Sequence, residues 1–171
     1  MRTMALAWLV WVAGMAAAAQ DPPPERTAIR HLRVSNGDLE KLIDRALSVS
    51  PTFREIASDL EQSSVIVYAQ YGRCRAVPAC TEFMSAAPPY IYLRVTVDPF
   101  HKSPWKVTGL LGHELQHARE LSGARIASSS DFVAFYQAHG QRHANGFETE
   151  AAAAVGVRIE REMTAQKTIA R

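Results

Sequence analysis

The stretch His113-Glu114-Leu115-Gln116-His117 constrains this chain more than any other. On a helix, residues four apart lie one above the other on the same face. His113 and His117 therefore offer two imidazole nitrogens to one metal ion. Glu114 sits about 100° round the helix from His113, where a carboxylate reaches a metal-bound water without ligating the metal. Two fixed nitrogens, a base beside an open position and a third ligand from elsewhere are what a zinc hydrolase requires. With this chain's His and Glu frequencies, the pattern arises by chance in about one sequence in a hundred of this length.

The segment around the motif reads as a buried helix. Ser103-Pro104 is a cap followed by proline at the first helical position, and Gly123 is a left-handed stop beyond Ser122. Val107, Leu111, Leu115 and Ala118 form one apolar stripe, with Leu110 and Leu121 flanking the histidines on the other side. A helix apolar nearly all round is buried. Two histidines and a glutamate inside it need partners, and a metal satisfies them better than solvent does.

Upstream, Leu39, Leu42, Ile43, Ala46 and Leu47 recur with helical period, predicting a helix over about 38–48. Ser50-Pro51 opens a second helix carrying Phe53, Ile56, Ala57 and Leu60, ending near Gln62. The period then becomes strand-like. Val65 to Tyr71 is rich in β-branched and aromatic residues, Thr81 to Ser85 reads as a short strand, and Tyr90 to Val97 alternates cleanly. Short links predict an antiparallel meander, with the Tyr90–Val97 strand as its edge. Downstream, Ser130-Asp131 caps a short helix with Phe132, Phe135 and Tyr136 that stops at Gly140. Asn145-Gly146 marks a turn, and the last helix is expected from Phe147 to about Met163.

The 171 residues allow one domain, and 47% apolar with 21% charged content is ordinary for a globular chain. A formal charge of +2 gives no basic stripe for nucleic acid or an anionic membrane surface. Arg2, the apolar run to Met15 and the small residues Ala16 to Ala19 follow the order of a secretory signal peptide, cleaved after Ala19. At about 16 residues the apolar run falls short of the roughly 20 of a spanning helix, so no stable membrane insertion is expected after cleavage. Residues 20–27 form a Pro-rich linker, and the domain occupies 28–171. Export, periplasmic or secreted, predicts a disulfide between Cys74 and Cys80, whose spacing is not that of a metal-binding pair.

The third ligand has several candidates. Glu120 shares the face of His117 but lies about 10 Å of helix from His113, too far for one ion. A third histidine six residues beyond His117 would fall on Gly123 and is excluded. Glu148 and Glu150 open the expected last helix. Glu148 heads an apolar stripe of Ala152, Val155 and Ile159, whereas Glu150 heads a stripe drifting into charge, so Glu148 is preferred. Asn145 followed by Glu148 also matches a capping box, which explains Glu148 without a metal. His139, His143 and Tyr136 are candidates for stabilising an oxyanion.

The motif resembles that of the zincin metallopeptidases, and a downstream Glu ligand resembles their gluzincin branch. In the HtpX-like membrane peptidases of that branch the ligand begins a Glu-x-x-Ala-Asp run. Glu148-Thr149-Glu150-Ala151-Ala152 matches its first and fourth positions, with Ala152 in place of the acidic residue that supports a histidine ligand. The many membrane spans of those families have no counterpart here. The chain as a whole resembles small exported bacterial proteins with this motif whose function is unassigned. The resemblance implies an α+β, zincin-like single domain, with a small antiparallel sheet packed against an active-site helix and further helices. It implies Zn2+ held by His113, His117 and Glu148, with Glu114 as general base for hydrolysis of a peptide or protein substrate. The alternative is an exported metal-binding or interaction module without turnover.

Overall fold

The computed structural model describes residues 30–100, 102–144 and 146–169, with side chains to residue 165. The expected leader and Pro-rich linker lie outside the described residues. Within them the fold is mixed α+β: five helices, a four-stranded sheet and a small hairpin.

Capping chemistry sets the first two helices where the sequence predicts them. Asn36 Oδ1 accepts from the Asp38 and Leu39 amides, and α1 runs Gly37–Val49 with Leu39, Ile43 and Ala46 buried. Ser50 Oγ accepts from the Phe53 amide at 3.0 Å, Pro51 fills the first helical position, and α2 runs Pro51–Glu61. Such a cap is worth about 1 kcal/mol. Phe53, Ile56 and Leu60 of α2 are fully buried, which makes this helix part of the core rather than a covering.

The sheet departs from the expected meander. Strands β1 (Leu32–Val34), β2 (Val65–Tyr71), β3 (Ala79–Ala87) and β4 (Tyr90–Val97) lie in the order β1-β2-β4-β3. β2 is parallel to both β1 and β4, and only β3 runs antiparallel, against β4. The short link after β2 does not join neighbours. Tyr71 and Ala79 both sit opposite Val97, so residues 72–78 cross the end of β4, about 10 Å for two strand spacings. β3 then runs back down the rim, and β4 inserts between it and β2. β4 is therefore interior, with Ile91, Leu93, Val95 and Val97 buried, and the edges belong to β3 and the short β1. β1, three residues long, has no signature in the sequence analysis.

Helix α3 (Pro104–Glu120) carries the motif and lies against β2, β3 and β4. Ser103 occupies its N-cap position, but its carbonyl rather than its hydroxyl takes the first bond, from Val107 N at 3.0 Å. Gly123, at φ +81°, turns the chain away just beyond the helix. On the other side of α3 lies α5 (Glu150–Ile169). The two helices approach at glycine: a Cβ on Gly109 would stand 2.9 Å from the Gly156 carbonyl, and one on Gly156 3.1 Å from His113 Cβ. Absence of both side chains lets the first turns of α5 come down beside His113.

Between them, α4 (Ser129–His139) is capped by Ser128, whose hydroxyl accepts from Asp131 N, and ends at Gly140. The expected start of the last helix is corrected. Phe147 and Glu148 belong to strand β6 (Gly146–Glu148), paired with β5 (Gln141–His143). Thr149 then caps α5, its hydroxyl accepting from Ala152 N at 3.1 Å and its carbonyl from Ala153 N at 3.1 Å. Threonine at the cap leaves no place for the alternative capping box from Asn145 to Glu148, and Asn145 itself lies outside the described residues. Among the described residues no helix is long and apolar enough to cross a membrane.

Candidate metal centre

Consecutive turns of α3 bring the His113 and His117 rings edge to face, centroids 5.0 Å apart. Glu148, at the end of β6, reaches both: Oε2 lies 3.2 Å from His113 Nε2, and Oε1 lies 3.5 Å from His117 Nε2. One ligand atom from each of the three residues falls within 4.8 Å of the others. Bonds of about 2.0–2.1 Å at a tetrahedral centre put neighbouring ligand atoms about 3.3 Å apart. Two imidazoles and a carboxylate fit zinc in donor type, and the 3.2 and 3.5 Å carboxylate–imidazole distances are close to that ligand spacing.

The reason for choosing Glu148 changes with its position. It does not head an inward stripe of the last helix; the hairpin delivers it from beside the motif. Glu150, the first residue of α5, is exposed and borders a shallow depression with Ala153, Ala154 and Val157, away from the histidines.

Glu114 is buried at 6% exposure, and burial pushes its carboxyl up to about 7. Thr81 on β3 donates its hydroxyl to Glu114 Oε2 at 2.8 Å. A carboxyl that burial brings to about 7, and that one directed hydrogen bond orients, is suited to taking and returning a proton. Burial also holds His113 below the usual histidine range, so its imidazole is neutral at pH 7 with a lone pair to give. At His117 burial acts in the same direction, but the Glu120 hydrogen bond and the charges of Glu114, Glu120 and Glu148 outweigh it and raise the group.

Both histidines have a second partner. His113 is hydrogen-bonded to the backbone of Ala152, a residue whose methyl side chain offers no acceptor of its own. Glu120 Oε2 lies 3.2 Å from His117 Nδ1, so Glu120 stands behind the second histidine and outside the His113–His117–Glu148 group. Its spacing of three from His117 made that contact legible; Thr81 left no comparable signal.

The three candidates for oxyanion stabilisation separate. Tyr136 is buried, with its ring edge-on to His117 at 5.3 Å, and its hydroxyl donates to the His117 carbonyl at 2.6 Å. It braces the helix. His139 stacks on Phe135 at 4.3 Å and bonds the Phe135 carbonyl, outside the site. His143, on β5, lines the cavity in front of the histidines, as Tyr136 also does. That cavity, about 550 Å³, is bounded by Val77 and Pro78 on the β3 side, Phe132 on α4 and Phe147 on the hairpin. The Cys74–Cys80 disulfide is formed, with Cα atoms 6.1 Å apart, and braces the Val77–Pro78 wall. Comparison with family models, curated proteins and solved structures finds no match for the chain.

Proposed function

We propose that the chain is an exported zinc metallopeptidase, zincin-like in fold and gluzincin-like in ligand set, hydrolysing peptide bonds with Glu114 as general base. The observation that carries this reading is the convergence of His113, His117 and Glu148 on one point with a buried carboxyl beside it. Bound zinc would supply the Lewis acidity that polarises a carbonyl and acidifies water. Glu114 accepts the proton of the attacking water and passes it to the leaving amine, held in place by Thr81. The free edge of β3 offers main-chain groups to an extended peptide, in the manner of strand addition. This replaces β4, which is flanked on both sides. Val77, Leu110, Phe132 and Phe147 favour an apolar side chain next to the scissile bond. Support for export comes from the leader-like N-terminus and from a disulfide, which persists in oxidising compartments.

The test is zinc content after dialysis, followed by cleavage of casein and of peptide libraries by wild type and Glu114→Gln. A peptidase retains about one zinc per chain in both proteins and loses cleavage in the variant. Zinc without cleavage in wild type leaves the metal-binding module, and zinc-free protein sinks both.

A further inference from the structure

Glu120 is engaged three times. Its Oε2 lies 3.2 Å from His117 Nδ1, and its Oε1 accepts the Thr149 hydroxyl at 2.7 Å and the Gln116 side-chain amide at 3.4 Å. Its side chain is only 16% exposed, and Thr149 is buried. Thr149 immediately follows Glu148, and its amide donates to Glu148 Oε1 at 2.9 Å. Glu148 Oε1 in turn faces His117 Nε2 at 3.5 Å. These contacts close a ring through His117, Glu120, Thr149 and Glu148, joining the end of α3 to the junction of β6 and α5.

We infer that Glu120 is a positioning residue that sets the tautomer of His117 and, through Thr149, the place of Glu148. A carboxylate is an acceptor, so it selects the imidazole carrying hydrogen on Nδ1 and leaves the Nε2 lone pair facing Glu148. The same carboxylate holds the threonine that caps α5, and so fixes where the hairpin ends and where its last carboxylate points. Groups behind metal-ligating histidines typically change affinity about 10–100-fold when removed. In this fold the acidic support stands on the motif helix, three residues past the second histidine, while position 152 contributes backbone.

This inference rests on the metal-centre reading for its affinity arm only. Two measurements separate the two. The first is zinc affinity by competition with a chromophoric chelator, on wild type, Glu120→Ala, Glu120→Gln and Thr149→Ser. The second is the nitrogen NMR signature of His117 in metal-free protein, followed upward in pH until the ring carries a single proton. Expected are a loss of affinity of about 10–100-fold in Glu120→Ala, a smaller loss in Glu120→Gln, which keeps one acceptor, and little change in Thr149→Ser. The His117 signature should move away from Nδ1–H in Glu120→Ala and stay in Thr149→Ser. Unchanged affinity and tautomer in folded Glu120→Ala overturn the inference. So does lost affinity with an unchanged tautomer, which would make Glu120 scaffold alone. If wild type binds no zinc, the proposed function fails, and the tautomer shift still decides the role of Glu120.

Discussion

Thr81 on the rim strand donates its hydroxyl to Glu114 on the motif helix at 2.8 Å, and also lies 3.3 Å from the Glu114 carbonyl. One side chain thus registers the sheet edge against the turn of helix that carries Glu114. The strand proposed to take an extended peptide and the carboxylate proposed as general base are held in a fixed relation.

Thr81→Val should uncouple them without emptying the site. A hydrogen bond to a charged group is worth about 1.5–3 kcal/mol, which corresponds to about a ten- to hundredfold fall in rate if it is expressed in the transition state. The expected result is lower kcat with KM changed less than about twofold, zinc content as in wild type, and recovery in Thr81→Ser. Steady-state kinetics on a peptide cleaved by wild type checks this. An equal rise in KM with kcat intact would place Thr81 in substrate binding.

The ligand set predicts a sharp asymmetry between two nearby glutamates. Glu148→Ala removes a carboxylate 3.2 Å from His113 and should lose zinc on dialysis, whereas Glu150→Ala, at an exposed position, should retain it. Zinc should also protect the fold. A ligand present at about 100 times its Kd adds about 2.7 kcal/mol, so chelation should lower the melting temperature of wild type and of Glu150→Ala but not of Glu148→Ala. Calorimetry with and without chelator reads this directly.

How much of this was legible in the sequence depends on how local each signal is. The Ser50-Pro51 cap, the β-branched run of Val65–Tyr71 and the alternation of Tyr90–Val97 each act within a few residues, and the elements occur where they say. Strand order is not local. Nothing in residues 72–78 tells whether β3 pairs with β2 or passes over the place that β4 later fills. The histidines follow from helix periodicity alone. The apolar stripe of Ala152, Val155 and Ile159 is real, but Glu148 does not head it: Thr149 caps a helix that begins at Glu150 rather than at Phe147, and hairpin pairing claims Phe147 and Glu148. Thr81 meets Glu114 only because β3 took the rim.

The disulfide should matter to turnover more than to metal binding. It closes a short loop, for which chain entropy gives about 2 kcal/mol. Replacing both cysteines by serine should lower stability by about that amount in urea unfolding. Val77 and Pro78 inside the loop wall the cavity, while the three proposed ligands stand on α3 and the hairpin. KM for peptides should therefore rise in the double variant with zinc stoichiometry unchanged. Loss of zinc instead would mean that the bridge supports α3 itself.

Acid sensitivity should arise partly at the opposite end of the sheet. Glu61, the last residue of α2, accepts the His31 amide at 2.9 Å and Arg30 Nε at 3.0 Å, tying the entry to β1. Burial acts to raise its pKa, but these bonds outweigh it and hold the carboxyl below the usual glutamate range. A group whose folded pKa is depressed stabilises the fold above its unfolded pKa, and that stabilisation is lost as pH falls through the folded value. Glu61→Gln has no such charge to lose. Its urea midpoint should lie below that of wild type at neutral pH, and the gap should close once the pH drops beneath the ordinary glutamate range. A gap that persists at low pH would assign the effect to packing rather than to the carboxylate.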